Sequence, residues 1–391
     1  MITLIQEGFI YSPQPLGKKD LLIVGEKIVA VTEPGRIQIK GIDVRVIDGR
    51  GKTVIPGLID SHVHILGGGG EGGPVSRTPE ISIEEIIPNG VTTVIGCLGT
   101  DGVTRHLESL LVKARALDTE GITAYIFSGS YEIPVKTLTG SVCSDLTLID
   151  KVIGFGEVAV SDHRSSQPTF EEIARLAAHC RIGGMLGGKA GVLHIHLGNG
   201  ARRLEMIFRL IKETEIPPTQ VIPTHVNRNR ALLEEAIDFV LAGGYVDLTA
   251  GISSEEEKDT DVSVETAVRR CLERKAPLSH ISVSSDSNGS LPVFDPDGRL
   301  TALTIATQKN LFKKFKSLIQ KKILKPDEAV RLFCSNPASF YRLFQKGEIQ
   351  TGRDADLVFL DKDYTITDVM AKGKMLMSGS KLLTKGTFSK A

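Results

Sequence analysis

The 391-residue chain is defined first by what it lacks. It carries no net charge, because 47 acidic side chains balance 47 basic ones, with nine histidines besides. That balance argues against a broad nucleic-acid or anionic-membrane surface, which needs a clustered excess of lysine and arginine. There is no run of about 18 apolar residues, so no transmembrane helix is expected. Met1 leads straight into Ile2-Thr3-Leu4-Ile5 without a basic leader or a small-residue cleavage site, and no signal peptide is expected. The five cysteines (Cys97, Cys143, Cys180, Cys271 and Cys334) are odd in number, scattered and never spaced CxxC. They suit reduced, mostly buried thiols of a cytoplasmic protein better than a disulfide framework. Tryptophan is absent, whereas glycine is abundant at 40, so turns and close backbone approaches should be common.

What remains is an ordinary globular composition, 41% hydrophobic and 24% charged. At roughly 100–200 residues per domain the length allows two or three domains, or one large barrel with an appendage. The pattern along the chain is split. The first 55 residues read as short strands at Leu21–Val24, Lys27–Val31 and Val44–Ile47, and Ala355–Leu360 and Tyr364–Val369 read likewise near the other end. One small β domain assembled from both termini is expected, with two unrelated hairpins as the alternative. Between them, strand patterns at Gly57–His62, Val91–Leu98, Ile122–Ser130, Val152–Ser161, Val192–Leu197, Gln220–His225, Tyr245–Ala250 and Leu278–Ser285 alternate with helical patterns such as Glu171–Ala178 and Ala201–Glu213. Eight such repeats predict an α/β fold, a parallel (β/α)8 TIM-like barrel with its site at the C-terminal strand ends. A doubly wound sheet is the competitor, but no G-x-G-x-x-G follows the first strand.

The histidines fall where such a barrel does chemistry. His62 and His64 end the first barrel strand two residues apart, on one face. His196 ends the fifth strand, His225 the sixth, and Asp286 the eighth. Core or surface histidines are the commoner reading of any one of them, but imidazoles and carboxylates at four strand ends suit Zn²⁺ or a neighbouring divalent metal. Two metals held close together need a bridging anion, and Glu157 on the fourth strand could supply it. Its alternative role is a strand carboxylate paired with lysine or arginine.

Four segments carry a resemblance: Pro56–His64, Ser161–Ser165, Pro223–Asn229 and Ser285–Ser290. Through them the chain resembles the bacterial isoaspartyl dipeptidase family of the amidohydrolase superfamily, over almost its whole length. The His-x-His segment is specific only to the superfamily. The resemblance implies a barrel over residues 56–345 and a small β-sandwich domain from residues 1–55 plus 346–391. It implies two divalent metal ions, most simply Zn²⁺, with His62, His64 and Asp286 on one side and His196 and His225 on the other. In the family a carboxylated lysine bridges the metals, and here Glu157 stands in its place, so no lysine carbamate is expected. Glutamate is shorter, so the strand must bulge, the metals must shift, or metal binding must weaken. Gly154 and Gly156 make bending plausible.

By the same resemblance Asp286 transfers the proton from attacking water to the leaving amine, and Tyr131 hydrogen-bonds the developing oxyanion. Either could instead have a lesser role, Asp286 as a ligand alone and Tyr131 as a buried structural group. Glu71 pairs with the substrate ammonium and Gly69 offers backbone contacts. Read alone, the Gly-rich run Leu66–Pro74 is a flexible loop, and it lacks the Gly-Lys-Ser/Thr of a phosphate-binding loop. Arg164 and Arg228 are carboxylate forks, while Thr100 and Ser290 contact the aspartyl α-carboxylate. The implied partner is a small dipeptide, with no nucleic acid and no membrane, in a homo-oligomer. The other histidines are left out of the metal set: His194 beneath His196, His280 lining the barrel core, His163 orienting a neighbour, and His106 and His179 structural or at the surface. Two other functions compete. One is another amidohydrolase acting on cyclic amides or N-acyl amino acids. The other is a non-catalytic barrel scaffold, which should have lost metal ligands.

Overall fold

The computed structural model describes residues 1–251, 262–295, 297 and 299–387. The chain opens with strands β1 (Ile2–Tyr11), β2 (Pro15–Val24), β3 (Lys27–Thr32), β4 (Arg45–Asp48) and β5 (Thr53–Pro56). Eight barrel strands follow: β6 (Leu58–Val63), β7 (Val91–Gly96), β8 (Thr123–Ser128), β9 (Val152–Val160), β10 (Val192–Leu197), β11 (Val221–Thr224), β12 (Val246–Thr249) and β13 (Ile281–Ser284). A hairpin of β14 (Ser290–Phe294) and β15 (Leu300–Ile305) leads away from the last of them. Strands β16 (Leu357–Leu360), β17 (Ile366–Ala371), β18 (Lys374–Ser378) and β19 (Lys381–Leu382) complete the set.

The two chain ends form one nine-stranded sheet in the order β19-β18-β17-β16-β5-β1-β2-β3, with β4 also paired to β1. They meet where β5 and β16 run antiparallel, Thr53 opposite Leu360 and Pro56 opposite Leu357. The two-residue period of β16 explains how this sheet attaches to the barrel. Leu357 and Phe359 enter a local core with Ile5, Ile10, Leu21 and Ile23, while Val358 and Leu360 join the large apolar core of the barrel.

The barrel strands β6 to β11 form a continuous parallel sheet, and β12 and β13 a parallel pair. Val226 N–H reaches Asp247 O at 3.5 Å across the gap between them. Closure comes from Asp286 N–H to His62 O at 3.1 Å and His64 N–H to Ser287 O at 2.9 Å. Strands buried on both faces are needed for such a barrel, and every residue of β6, β7 and β9 is buried. Helices cover the outside. Phe170–Leu186 is the longest, opened by a Thr169–Glu172 capping box that satisfies its first donors. The helix expected from Ala201 begins only at Glu205. Among the described residues, no helix is long and apolar enough to cross a membrane.

One irregularity of β9 governs the site. Against β10, Phe155 pairs with Leu193 but Val158 pairs with Ile195, so β9 carries one extra residue across Gly156 and Glu157. Gly156 sits at φ 144°, and a Cβ there would come within 2.4 Å of His194 O. Only glycine fits this close approach. The strand therefore bulges at Gly156 and Glu157.

Candidate metal centre and its cleft

The C-terminal strand ends bring six ionisable side chains together, and all are buried: His62, His64, Glu157, His196, His225 and Asp286. His225 and Asp286 follow their strands with φ of 61° and 57°. Left-handed backbone is costly for residues bearing a Cβ, and such conformations concentrate at functional sites. Glu157 lies at the centre. Its Oε2 is 3.4 Å from His62 Nε2, 3.1 Å from His196 Nδ1 and 3.5 Å from His225 Nε2, and its Oε1 is 3.5 Å from His64 Nε2. Asp286 Oδ1 stands 3.2 Å from His64 Nε2 and 3.5 Å from His62 Nε2.

The outward nitrogens of these rings are anchored. His62 Nδ1 is 2.9 Å from His194 Nε2, His225 Nδ1 is 2.7 Å from Thr249 Oγ1, and His196 Nε2 is 3.0 Å from Asp162 Oδ2. Contacts of this kind fix ring orientation and tautomer in metal-binding histidines. Inward, His62 Nε2 is buried without a hydrogen-bond partner. A buried polar atom with no partner is costly unless a ligand meets it.

Electrostatics tell the same story. Burial alone would raise the Glu157 carboxyl, yet His62, His196 and His225 hold it well below the usual carboxylate range. Burial likewise opposes ionised Asp286, but His64, His225 and His62 keep its pKa low. Burial works against protonation of His62 and His64, and Cys97, Glu157 and Asp286 nonetheless raise them. Burial pushes His225 down to about 3. Positive charge is demanded at the centre of the cluster, and imidazole–carboxylate donor sets meet that demand with a divalent ion. Three donor groups are close enough to do so: His62, His64, Cys97 and Glu157; His62, His225 and Asp286; and Glu157, His196 and His225. The residues present fit a divalent metal.

Of the residues nominated from sequence, all but His62 line a single cleft, joined there by Gly68 and Gly99. Glu71 accepts from Ser290 Oγ at 2.8 Å, from Thr100 Oγ1 at 3.2 Å and from the Arg164 guanidinium at 3.1 Å. Arg164 also donates to both oxygens of Asp162, at 3.0 and 2.8 Å. Arg228 lines the cleft with its Nε buried and without a hydrogen-bond partner. Tyr131 places its hydroxyl 2.8 Å from His196 Nδ1, and burial together with Glu157 pushes its pKa well up.

Two members of the site are not apparent from sequence. Asp162 bridges His196 and Arg164, but its place in a turn and its bond to the Arg164 N–H at 2.8 Å read as local turn chemistry. Cys97 follows β7 and reads as a buried thiol. His194 supports His62 and stacks on Phe127 with ring centres 4.7 Å apart. His280 does not line the barrel core as expected. It precedes β13 at the opposite strand end, half-buried against Tyr245 and the Gly244 carbonyl, because the strand begins only at Ile281. His106, His163 and His179 are exposed.

The family model described as "Amidohydrolase family" matches residues 53–376. A β-aspartyl dipeptidase from Fervidobacterium islandicum AW-1, solved in complex with the β-Asp-Leu dipeptide, superposes with a TM-score of 0.92 at 41% identity, covering 100% of both chains. More distant relatives include an adenine deaminase from Halalkalibacterium halodurans, 24% identical over 93% of this chain and 55% of its own length. A dihydroorotase from Lactobacillus gasseri is 24% identical over 93% of this chain and 90% of its own. The chain thus spans about half the length of the adenine deaminases it matches.

Proposed function

The chain belongs to the amidohydrolase family, and from that premise we propose that it is a binuclear metal-dependent dipeptidase. Its substrates are β-aspartyl dipeptides, which it cleaves to L-Asp and a second amino acid. The observation that carries this reading is the polar ring around the metal cluster. One acid, Glu71, and two guanidinium groups, Arg164 and Arg228, share a cleft with Thr100 and Ser290. An isoaspartyl dipeptide offers the complement, one ammonium and two carboxylates. The 41% identity to a dipeptidase holding β-Asp-Leu supports it further.

His62, His64 and Asp286 would hold one divalent ion and His196 and His225 the other, with Glu157 available to both and Zn²⁺ the expected metal. When bound, the ions supply Lewis acidity, lowering the pKa of a water and polarising the scissile carbonyl. Asp286 Oδ takes a proton from the attacking water and returns it to the departing nitrogen. The Tyr131 hydroxyl donates to the carbonyl oxygen as negative charge grows on it. Arg228 grips a substrate carboxylate with its planar fork. Glu71 binds the α-ammonium, and Arg164, already tied to Glu71, takes the second carboxylate with Thr100 and Ser290 alongside. Gly69 contributes backbone groups at the cleft wall. No lysine lines the cleft among the described residues, which supports Glu157 serving directly in place of a carbamate.

We place the division between the β domain and the barrel at residues 1–55 plus 346–391 and 56–345. A cytoplasmic, homo-oligomeric enzyme is the accompanying reading, supported by five free thiols and by the family. Side-by-side turnover of β-Asp-Leu, dihydroorotate and N-acetyl amino acids tests the reading. Hydrolysis of β-Asp-Leu is expected to dominate, and turnover of only the other two would refute the dipeptidase assignment.

A further inference from the structure

We propose that Cys97 is a thiolate ligand of the metal ion held by His62 and His64, acting together with Glu157. The proposal rests on the metal-binding part of the reading above and not on the substrate.

The backbone places Cys97 for this role. Its N–H donates to Val63 O at 3.0 Å, which fixes it beside the residue separating the two histidines. The side chain is fully buried, with Sγ 3.7 Å from Val63 O and 4.0 Å from His64 Nδ1. Both contacts are long and weak. Donor atoms of His62, His64, Cys97 and Glu157 all lie within 4.8 Å of one another. An independent observation points to a ligand in the same place, since His62 Nε2 is buried, faces the cluster and has no hydrogen-bond partner.

Chemistry supplies the reason. Beside Asp286, two imidazoles, the Glu157 carboxylate and a thiolate make a mixed nitrogen, oxygen and sulfur donor set that suits Zn²⁺ or Co²⁺ in four- or five-coordination. Cys97 follows β7, next to β6 that carries His62, and adds a further donor and negative charge to that side of the cluster. The step balances simply: a sulfur–metal bond forms, the Sγ–H proton passes to solvent, and no electrons change hands. Cys180 and Cys334 are as deeply buried, yet neither belongs to a donor cluster among the described residues. The competing role for Cys97 is packing, for it also touches the apolar group of Ile59, Ile95 and Phe127. Packing alone places no sulfur on the metal.

The test uses the full-length protein stripped of metal by a chelator and titrated with Co²⁺. A near-ultraviolet sulfur-to-cobalt charge-transfer band is expected to grow and saturate with the first ion bound. Cys97→Ser should abolish the band, keep the visible ligand-field bands, and weaken Co²⁺ binding at least about tenfold, the lower end of what even outer contacts of a metal site contribute. Zinc X-ray absorption of the unmodified protein gives a second readout that needs no variant. A sulfur shell at about 2.3 Å beside nitrogen and oxygen at about 2.0–2.2 Å is expected. Cobalt bound without the band, a band that survives Cys97→Ser, a zinc shell of nitrogen and oxygen alone, or failure to bind either ion would each overturn the proposal. A band without hydrolysis of β-Asp-Leu would instead sink the dipeptidase reading and leave the thiolate ligand standing.

Discussion

Glu157 and Asp247 are both fully buried carboxylates on strands of the same barrel, and their neighbours offer them opposite things. Asp247 accepts hydroxyl hydrogen bonds from Thr224 at 2.9 Å, Ser282 at 2.6 Å and Ser284 at 2.5 Å. Burial still lifts its pKa, as expected of an acid placed in low dielectric. Glu157 is ringed by imidazole nitrogens, and another carboxylate, Asp286, faces two of the same rings. Two of those rings, His62 and His64, are drawn toward the protonated form by the carboxylates and Cys97, so the Glu157 neighbourhood calls for positive charge. Burial is common to both acids and so does not mark a site. What the neighbours offer does: one neighbourhood is complete, and the other is complete only with a cation in it.

The sharpest way to break this contrast is to neutralise each acid without changing its shape. Glu157→Gln removes the charge that the histidines surround, so bound zinc should fall toward zero and turnover to background while far-ultraviolet circular dichroism is retained. A variant that still bound a full complement of zinc would show that the cluster needs no anion at its centre. Asp286→Asn is expected to be milder for metal and severe for chemistry, lowering kcat by about 10²–10⁴-fold, the usual weight of a positioned acid–base group. Near-normal turnover would remove Asp286 from proton transfer.

Further from the metals the contrast weakens into binding. Arg228 presents a buried, unpartnered Nε to the cleft, whereas Arg164 is already committed to Asp162 and Glu71. Arg228→Lys keeps the charge and loses the fork. KM should rise about 10–100-fold, matching a charge-assisted hydrogen bond of about 1.5–3 kcal/mol, with kcat little changed. An unchanged KM would mean that Arg228 does not touch substrate.

These sites were unevenly visible in the sequence, for physical reasons. All eight barrel strands read correctly because strands buried on both faces are short apolar runs between turns. Strand β1 was missed because its alternation breaks at Gln6-Glu7-Gly8, where the ladder slips and Glu7 takes φ 55°. The β14–β15 hairpin was missed because Pro292 and a run of turn residues around Asp295 read as loop. Histidines at strand ends announced the metal centre, since strand register is local information. The partnership of Cys97 with His62, or of Asp162 with His196, joins residues 35 and 34 positions apart, and no local pattern encodes it. Glu71 was legible as a site residue, but its pairing with Arg164 at 3.1 Å emerges only when two loops meet.

Asp247→Asn tests the other half of the comparison and should touch stability alone. A carboxamide turns an N–H₂ toward hydroxyls that had been donating, leaving at least one buried polar group unmatched at about 1–3 kcal/mol. Denaturant unfolding should show that loss, with zinc per chain and KM unchanged. Loss of metal instead would mean that the two carboxylates belong to one network.

The smallest expected effect is none at all, and it bears directly on the proposal that Glu157 serves in place of a carboxylated lysine. A carbamate forms reversibly from CO₂, so an enzyme that depends on one gains activity when metal is restored in the presence of bicarbonate. Glu157 carries its carboxylate covalently, and the extra residue of β9 brings it within 3.1–3.5 Å of all four histidines. Space for it is kept by Gly99, where a Cβ would stand 3.2 Å from Glu157 Oε1 and 2.8 Å from His64 Cε1. Nothing in that arrangement depends on dissolved CO₂, so metal reconstitution with and without bicarbonate should give equal rates and equal zinc per chain. Stimulation by bicarbonate would require a carbamate elsewhere in the cluster, and the bulge at Gly156 would then lose its explanation.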